Sequence, residues 1–233
     1  MKINFLTLFP NYFKPFLEES IISKAINKNL ISFNVIDWRE YSRDKHKKVD
    51  DTVFGGGQGM LLQIEPIDIA INSLENKGGY KILVSPQGKT FNQKIAKELS
   101  QKKEITFISG RYEGFDERIS ELVDMELSIG DYVLTGGEIP SMVIADAITR
   151  LIPNVIKKES HMYESFEEDG MLDYPQYTQP REYYSLTLNK TLSVPEELLN
   201  GNHKIINEWR EEAKYQKTLK NRPDIIERIK NEK

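Results

Sequence analysis

The stretch that predicts the fold is SGRYEGFDERISELVDMELSIGDYVLTGGEIP, residues Ser109 to Pro140. It contains two glycine-bearing loops, SGRYEG and SIGDYVLTGGE, and each follows an apolar run typical of a strand. A third loop of this kind, SPQGK at Ser85 to Lys89, follows the apolar run YKILV. Glycine lets the backbone approach a ligand closely, and loops beyond the carboxyl ends of strands line the ligand crevice of an open α/β sheet. We therefore expect the three loops to surround one small-molecule site.

The rest of the chain predicts two domains joined by a linker. Strand-like runs alternate with helix-like runs as far as Leu151, a pattern typical of a mainly parallel sheet covered on both faces. An acidic, aromatic stretch follows, and from Pro195 the pattern is helical. The fold class is therefore α/β with a mainly parallel sheet, plus a small all-α C-terminal domain. We predict that the helix after SPQGK is capped by Thr90. The predicted bounds are 1–158 for the α/β domain, 159–175 for the linker and 176–233 for the helical domain.

Composition excludes several kinds of site. The 233 residues include no cysteine, and the three histidines (His46, His161 and His203) have no spacing typical of metal ligands. The N-terminus lacks a signal-peptide core, and no apolar run approaches the roughly 20 residues of a membrane helix. We expect no metal site, no membrane segment and a cytoplasmic protein.

Charge is unevenly distributed. The net charge is −4, but residues 159–173 hold six of the 36 acidic residues and no Lys or Arg, so the rest of the chain is nearly neutral. The segment WREYSRDKHKKVDD is locally basic. It is either a solvated loop or a loop that contacts phosphates.

Two common nucleotide motifs are absent. SPQGKT ends like a phosphate-binding P-loop, but Leu83 stands where that motif needs glycine. No GxGxxG follows the first strand, which disfavours a dinucleotide-binding fold. The glycine run at Gly55 to Met60 is either a flexible loop or a loop that folds over a ligand. Arg150 either caps its helix against the dipole or supplies a fixed cation to a substrate carbonyl.

Seven segments carry a resemblance to a known family. They are LFPNYF, VDDTVFGGGQGM, SPQGK, SGRYEGFDER, SIGDYVLTGGEIP with Arg150 after it, MLDYPQYTQP and LNGNHKIINEWR. In this order, across nearly the whole chain, they resemble the TrmD family of bacterial tRNA (guanine-N1)-methyltransferases. The resemblance implies a SPOUT-type domain tied in a deep trefoil knot, a rare exception to unknotted topology.

The resemblance also implies the reaction and its partners. The family transfers a methyl group from S-adenosylmethionine to N1 of guanosine at position 37 of tRNA, next to the anticodon. It acts as a homodimer whose active site is shared between subunits, and its helical domain grips the anticodon branch. Carried over by motif, the cofactor contacts are Ser85, Pro86, Gly110, Tyr112, Ile129, Gly130, Asp131, Tyr132, Val133, Leu134, Gly136, Gly137 and Pro140. The resemblance allows Mg²⁺, but no ligand cluster in the sequence demands it.

The catalytic residues implied are an arginine and a carboxylate. Guanine N1 carries a proton at neutral pH, so a general base must remove it, and a cation must stabilise the charge that develops on the neighbouring carbonyl oxygen. Arg150 matches the family's cation. The family's linker usually reads Asp-Ser-Phe with Asp as the base, but here it is Glu164-Ser165-Phe166, followed by one extra residue before the next glycine. The base is therefore assigned to Glu164, with Asp169 as the alternative if the register shifts.

The sequence leaves a further candidate for the base and two rival functions. Asp173 is a third candidate for the base, and Gln58 stands where the family usually has proline. A knotted ribose 2′-O-methyltransferase is a rival function within the enzymes. A non-catalytic RNA-binding module that kept the fold is a rival from another class.

Overall fold

The computed structural model describes residues 1–57, 59–157, 164–167 and 170–231. Gln58, His161 and Asp169 from the sequence analysis lie outside the described residues, as do parts of the predicted linker. The chain divides into two compact units, Met1–Lys157 and Lys158–Lys233, called here the first and the second unit. Within the described ranges, no helix is both long and apolar enough to cross a membrane.

The secondary structure alternates as predicted in the first unit. The strands are β1 Lys2–Thr7, β2 Ser32–Asp37, β3 Asp50–Thr52, β4 Met60–Leu62, β5 Tyr80–Thr90, β6 Glu104–Ser109, β7 Met125–Ser128, β8 Glu182–Ser185 and β9 Lys190–Ser193. The α-helices are α1 Lys14–Glu18, α2 Ser20–Asn27, α3 Ile64–Ser73, α4 Gln93–Ser100, α5 Glu138–Thr149, α6 His203–Asn221 and α7 Pro223–Asn231. Short 3₁₀ helices cover Pro10–Tyr12, Trp38–Tyr41, Glu75–Gly78, Glu117–Leu122 and Glu196–Leu198.

A five-stranded parallel sheet organises the first unit. Its strand order is β2-β1-β6-β5-β7, and every neighbouring pair is parallel. The prediction of a mainly parallel sheet is confirmed. Because parallel strands share their direction, the segments that follow β5, β6 and β7 all leave the same edge of the sheet.

Helices cover both faces of this sheet. On one face, Phe5 and Phe107 belong to a buried cluster with residues of α2, α4 and α5. On the other face, Leu6 and Ile108 belong to a second cluster with Trp38 and residues of α3. Successive residues of a strand point to opposite faces, so burial of both sets explains why these strands are almost continuously apolar.

The structure corrects the predicted end of the third glycine-bearing loop. Strand β5 extends through Thr90, although its pairing with β7 is interrupted between Val84 and Lys89. Thr90 therefore does not cap α4. The cap is Asn92, whose side chain accepts a hydrogen bond from the backbone N–H of Ile95 at 3.0 Å. Asn is among the strongest N-cap residues, and the position of the cap depends on where the strand pairing ends.

The structure also shows that the C-terminal domain is not all-α. Strands β8 and β9 form an antiparallel hairpin that pairs Tyr183 with Leu192 and Ser185 with Lys190. Asn189 at the turn has φ +53°, a left-handed conformation that Asn tolerates better than most residues. A second hairpin, β3–β4, surrounds the glycine run in the first unit. Both hairpins have strands too short to produce a clear alternation of apolar and polar residues.

An acidic side chain at the start of β6 predicts a pH dependence of stability. The Glu104 carboxylate accepts a hydrogen bond from Asn4 at 3.0 Å and pairs with Lys2 at 3.1 Å. Burial raises the pKa of Glu104, but the hydrogen bonds from Asn4 and Lys2 outweigh it, so the pKa lies below its ordinary value. The stabilisation is therefore complete above the unfolded-state pKa of about 4.3, and is lost as pH falls through the lower folded-state pKa.

We expect Glu104→Gln to lower the free energy of unfolding by about 1 kcal/mol at pH 7. Urea unfolding at pH 7 and at about pH 3, below the unfolded-state pKa of a glutamate, measures the difference between the variant and the wild type. The control is Glu75→Gln, since Glu75 also pairs with Lys2 but its side chain is 78% exposed. A Glu104→Gln effect of the same size at both pH values would contradict the prediction.

Candidate functional site

A cavity of about 300 Å³ lies at the carboxyl ends of β5, β6 and β7. Its wall is formed by the interrupted part of β5 around Ser85–Gln87 and by the segments that follow β6 and β7, together with Ile119 of a 3₁₀ helix and Pro140 of α5. The sequence predicted that the three glycine-bearing loops share one site, and the structure brings them together. The volume is at the lower end of the range for small-molecule sites.

The predicted cofactor contacts can be located individually. Those in the cavity wall are Ser85, Pro86, Gly110, Tyr112, Ile129, Gly130, Tyr132, Val133, Leu134, Gly136, Gly137 and Pro140. Asp131 is exposed and does not belong to the wall. The wall therefore combines apolar side chains with backbone at glycine positions, an arrangement suited to a partly apolar ligand.

Carboxylates give the cavity a negative character. Glu113, Glu117 and Glu126 lie in its wall. The positive charge of Arg111, also in the wall, is directed to the buried carboxylate of Glu138 at 3.0 Å. The cavity is thus electrostatically suited to a ligand that carries positive charge. None of these three carboxylates is among the site residues predicted from the sequence.

The Arg111–Glu138 ion pair joins three segments that are distant in sequence. Arg111 follows β6, and Glu138 is the first residue of α5 and only 1% exposed. The Thr7 hydroxyl at the end of β1 donates a hydrogen bond to Glu138 at 2.8 Å. The guanidinium of Arg111 also donates to the carbonyl of Thr135 at 3.1 Å. An acidic residue in the first turn is favoured by the helix dipole.

Two aromatic rings complete the surroundings of Arg111. Its guanidinium lies 4.4 Å from the ring centre of Phe9 and 5.2 Å from that of Tyr12, within the range of cation–π attraction. Burial lowers the pKa of Arg111, but the hydrogen bond with Tyr12 and the charge of Glu138 outweigh it and raise the pKa. The guanidinium is therefore permanently charged. Thr7, Phe9 and Glu138 could not be predicted in this role from the sequence, because no spacing pattern connects them.

Glycine at position 137 allows α5 to begin directly against the end of β6. The N–H of Gly137 donates to the carbonyl of Gly110 at 2.9 Å. A Cβ atom at position 137 would lie 2.8 Å from the Cα atom of Ser109, closer than packing allows. Next to this contact, the buried hydroxyls of Ser109 and Ser141 form a hydrogen bond, with their oxygens 2.9 Å apart. The segments after β6 and β7 are thus held in backbone contact.

Comparison with known proteins identifies the chain. A family model described as tRNA (Guanine-1)-methyltransferase TrmD matches residues 1–228. The chain belongs to the TrmD family. The resemblance inferred from the sequence segments is confirmed.

Similar full-length proteins bear the same name. A tRNA (guanine-N(1)-)-methyltransferase of Mycoplasmopsis agalactiae is 73% identical over 233 residues, which cover 100% of both chains. One of Mycoplasmopsis synoviae is 64% identical, again with 100% of both chains covered. One of Fusobacterium nucleatum is 56% identical over 228 residues, which cover 97% of this chain and 92% of the other.

The two predicted catalytic residues of this TrmD-family chain lie in different units. Arg150 directly follows α5 in the first unit and is half-buried. Pro140 in the first turn of α5 lines the cavity, and ten helical residues at 1.5 Å each place Arg150 about 15 Å further along the axis. The structure therefore does not bring Arg150 to the cavity of its own chain.

Glu164 belongs to the second unit and is half-buried. Its segment folds back on the chain that follows, since Phe166 donates to the carbonyl of Met171 at 2.7 Å. The backbone N–H of Asp173 donates to the Ser165 hydroxyl at 3.0 Å. Two of the three candidate bases, Glu164 and Asp173, are thus close along one folded segment.

The end of the glycine run, at Gly59 and strand β4, contacts the segment after β6, whereas Gly55, Gly56 and Gly57 lie in open space. Strand β4 exchanges backbone hydrogen bonds with the segment after β6, from Leu62 to Gly114 and from Asp116 to Leu62, each at 2.9 Å. Gly59 packs against the Glu113 side chain, where a Cβ atom would lie 2.3 Å from Cγ. In the basic loop that precedes this hairpin, Lys48 pairs with Asp51 at 3.3 Å. Over the described ranges, no group of three or more His, Cys, Asp or Glu side chains is arranged to hold a metal ion.

We expect disruption of the Arg111–Glu138 pair to destabilise the protein. Glu138→Gln or Arg111→Met leaves one buried charge without its partner, at a cost of about 3 kcal/mol. Urea unfolding of both variants and of the double variant forms a double-mutant cycle, in which the two losses are less than additive.

The matched control for this cycle is Arg118→Met, because Arg118 also pairs with a carboxylate, that of Asp116, but its side chain is 70% exposed. An exposed pair contributes little. If Glu138→Gln costs no more than Arg118→Met, the buried pair does not stabilise the fold in the way described.

Proposed function

We propose that the protein transfers the methyl group of S-adenosylmethionine to N1 of guanosine at position 37 of tRNA, next to the anticodon. The observation that carries the proposal is a ligand cavity built from the TrmD-family glycine loops in a chain that belongs to that family along almost its whole length. The relatives' shared name, tRNA (guanine-N(1)-)-methyltransferase, supports the same reaction.

The cavity suits S-adenosylmethionine in shape and charge. Pro140, Leu134 and Ile129 offer apolar surface for an adenine ring, and Gly110 and Gly137 contribute backbone to the same wall. The wall carboxylates complement the positive sulfonium. When bound, this group supplies an activated, electrophilic methyl. The wall residues of the predicted list would hold it, and Asp131 lies next to them in the chain but outside the wall.

The remaining chemistry concerns guanine. Its N1 must lose a proton before it becomes nucleophilic, and Glu164 removes that proton as general base. The carbonyl oxygen next to N1 gains negative charge, and the fixed cation of Arg150 stabilises it by a few kcal/mol in a preorganised site. Glu has one methylene more than the Asp usual in the family, and the folded segment around Ser165 sets the reach of its carboxylate. The guanine leaves its stack to reach the site, at a cost of a few kcal/mol.

We propose that two copies of the chain share the active site as a homodimer. Ten residues of α5 separate Arg150 from Pro140 in the cavity wall, about 15 Å along the helix axis, and Arg150 does not belong to that wall; Arg150 therefore serves the cavity of a second copy. Exposed apolar side chains on α5 and the preceding segment, Ile139, Val143 and Val133, supply a surface for that contact. Contiguous exposed apolar residues are typical of interaction sites.

We further propose the SPOUT-type trefoil knot for residues 1–158. Strand β7 lies at the edge of the sheet next to β5, yet α5 begins against β6 and its Glu138 reaches Thr7 of β1. The chain therefore recrosses the carboxyl end of the sheet between the glycine-bearing segments, the path that such a knot requires. Residues 159–175 form the linker, and residues 176–233 bind the anticodon branch of tRNA in the cytoplasm.

The reaction is tested with an unmodified tRNA transcript and radiolabelled S-adenosylmethionine. We expect label in N1-methylguanosine after nuclease digestion, and none when position 37 is adenosine. Label on ribose would favour the 2′-O-methyltransferase. If S-adenosylmethionine binds but no transcript is labelled, the proposed function is wrong and a non-catalytic RNA-binding module is favoured.

The general base is tested by removing its charge. Glu164→Gln is expected to lower kcat by at least about a hundredfold, while the cofactor Kd from calorimetry stays unchanged. Glu167→Gln, in the same segment, serves as the control. If Asp169→Asn abolishes turnover and Glu164→Gln is mild, the extra residue has shifted the register and Asp169 is the base.

A further inference from the structure

A second cavity, of about 470 Å³, lies within the second unit. One wall is the irregular segment 174–181, and the opposite wall is the first half of α6. Leu198, Leu199 and Val194 close a third side. All of these residues belong to one compact unit, so the cavity does not depend on how the two units are arranged.

Aromatic side chains form much of its surface. The rings of Tyr177 and Trp209 are 6.2 Å apart between centres and tilted by 58°. Tyr177 is 49% exposed, and Trp209 is half-buried. Tyr174 forms a further part of the wall and lies 4.9 Å from the guanidinium of Arg210. Partly exposed aromatic faces of this kind are platforms on which a planar group can stack.

The charged side chains that line the cavity are both positive. Arg181 and Arg210 line it, and none of its lining residues in the described part of the chain carries a carboxylate. The Nε atom of Arg210 is buried and has no hydrogen-bond partner among the described residues, although buried polar atoms normally have one. Gln179 and Thr178 add side-chain donors and acceptors at the same wall. The site thus offers stacking faces, cations and hydrogen-bonding groups together.

We infer that this cavity binds one unpaired nucleotide of the tRNA substrate. The base stacks against Trp209 and Tyr177, and the phosphate of the same nucleotide interacts with Arg181 and Arg210. Proteins read RNA chiefly through unpaired nucleotides whose bases are splayed onto aromatic or arginine planes, whereas a paired stem keeps its bases stacked and away from such a cavity. The inference rests on the proposed function, because it takes the bound RNA to be the tRNA that is methylated.

Tryptophan fluorescence tests the inference directly. The chain has two tryptophans, and Trp38 is 0% exposed in the core of the first unit. Titration with the unmodified tRNA transcript, without S-adenosylmethionine, is therefore expected to quench Trp209 alone. Trp209→Phe should abolish the quenching and retain most of the affinity, since phenylalanine still stacks. A transcript that binds without quenching would overturn the inference.

Affinity measurements supply an independent test. Trp209→Leu keeps apolar packing but removes the stacking face, and is expected to raise the tRNA Kd about tenfold, within the range for one stacked base. In steady-state methylation it should raise KM and leave kcat unchanged. Tyr215→Leu is the control, because Tyr215 lies on the same helix outside the cavity. Equal Kd values for the two variants would overturn the inference.

The inferred phosphate contact is tested at the exposed arginine of the pair, whose side chain does not belong to the core. Arg181 is exposed, and Arg181→Gln is expected to weaken tRNA binding and reduce the salt dependence of Kd by about one phosphate contact. Lys204→Gln, an exposed cation of α6 outside the cavity, controls for general charge loss. The same loss from both variants would contradict a specific phosphate contact.

The experiments can disprove the nucleotide-binding inference without disproving the proposed function, and the reverse. If the wild type produces N1-methylguanosine but tRNA neither quenches Trp209 nor depends on it, the cavity inference is wrong and the proposed function stands. If tRNA quenches Trp209 but no methylguanosine forms, the proposed function is wrong and the cavity remains an RNA site.

Discussion

The ion pair between Arg111 and Glu138 is the constraint on which the site depends. Glu138 is buried at the first residue of α5, and Thr7 holds its second oxygen from the end of β1. A carboxylate in this position is costly unless it is paired and hydrogen-bonded. The pair therefore fixes where the segment after β6 and the start of α5 can lie. Since both segments form walls of the cavity, the same contact that stabilises the fold sets the shape of the ligand site.

Close backbone packing follows from this constraint. At Gly137 the start of α5 touches the end of β6. No side chain lies between the two backbones at this point, so the segments after β6 and β7 are in direct contact. The direction of α5 then carries Arg150 away from the cavity that Glu138 helps to build. In the function proposed here, the donor cavity and the groups that act on guanine are consequently different parts of the fold. That separation is a physical reason for a second copy and for a linker that brings a carboxylate to the substrate.

The second unit has its own small core, and its aromatic cavity lies next to that core on α6. Buried apolar residues such as Ile225 and Ile226 and the buried Thr218 join α6 and α7, and the Thr218 hydroxyl accepts from the backbone N–H of Leu172 at 3.1 Å. That hydrogen bond ties the end of the linker to α6. The aromatic cavity lies on the same helix, so the segment from Leu172 to Arg181 connects the linker with the inferred nucleotide site. The hairpin β8–β9 begins directly after it.

The sequence by itself determined the alternation of strands and helices, the parallel sheet and the three loops at one edge, because burial periodicity and glycine positions are local properties of each segment. Motif order along the chain was also sufficient to identify the family. Only the tertiary structure decided that Thr7, Arg111 and Glu138 meet, that Asn92 rather than Thr90 caps α4, and that Glu126 faces the cavity. It also decided that a hairpin precedes the helices of the second unit, and that Trp209, Tyr177 and two arginines surround one cavity. These features depend on strand order, register and the path of the chain between distant segments, which no local pattern encodes.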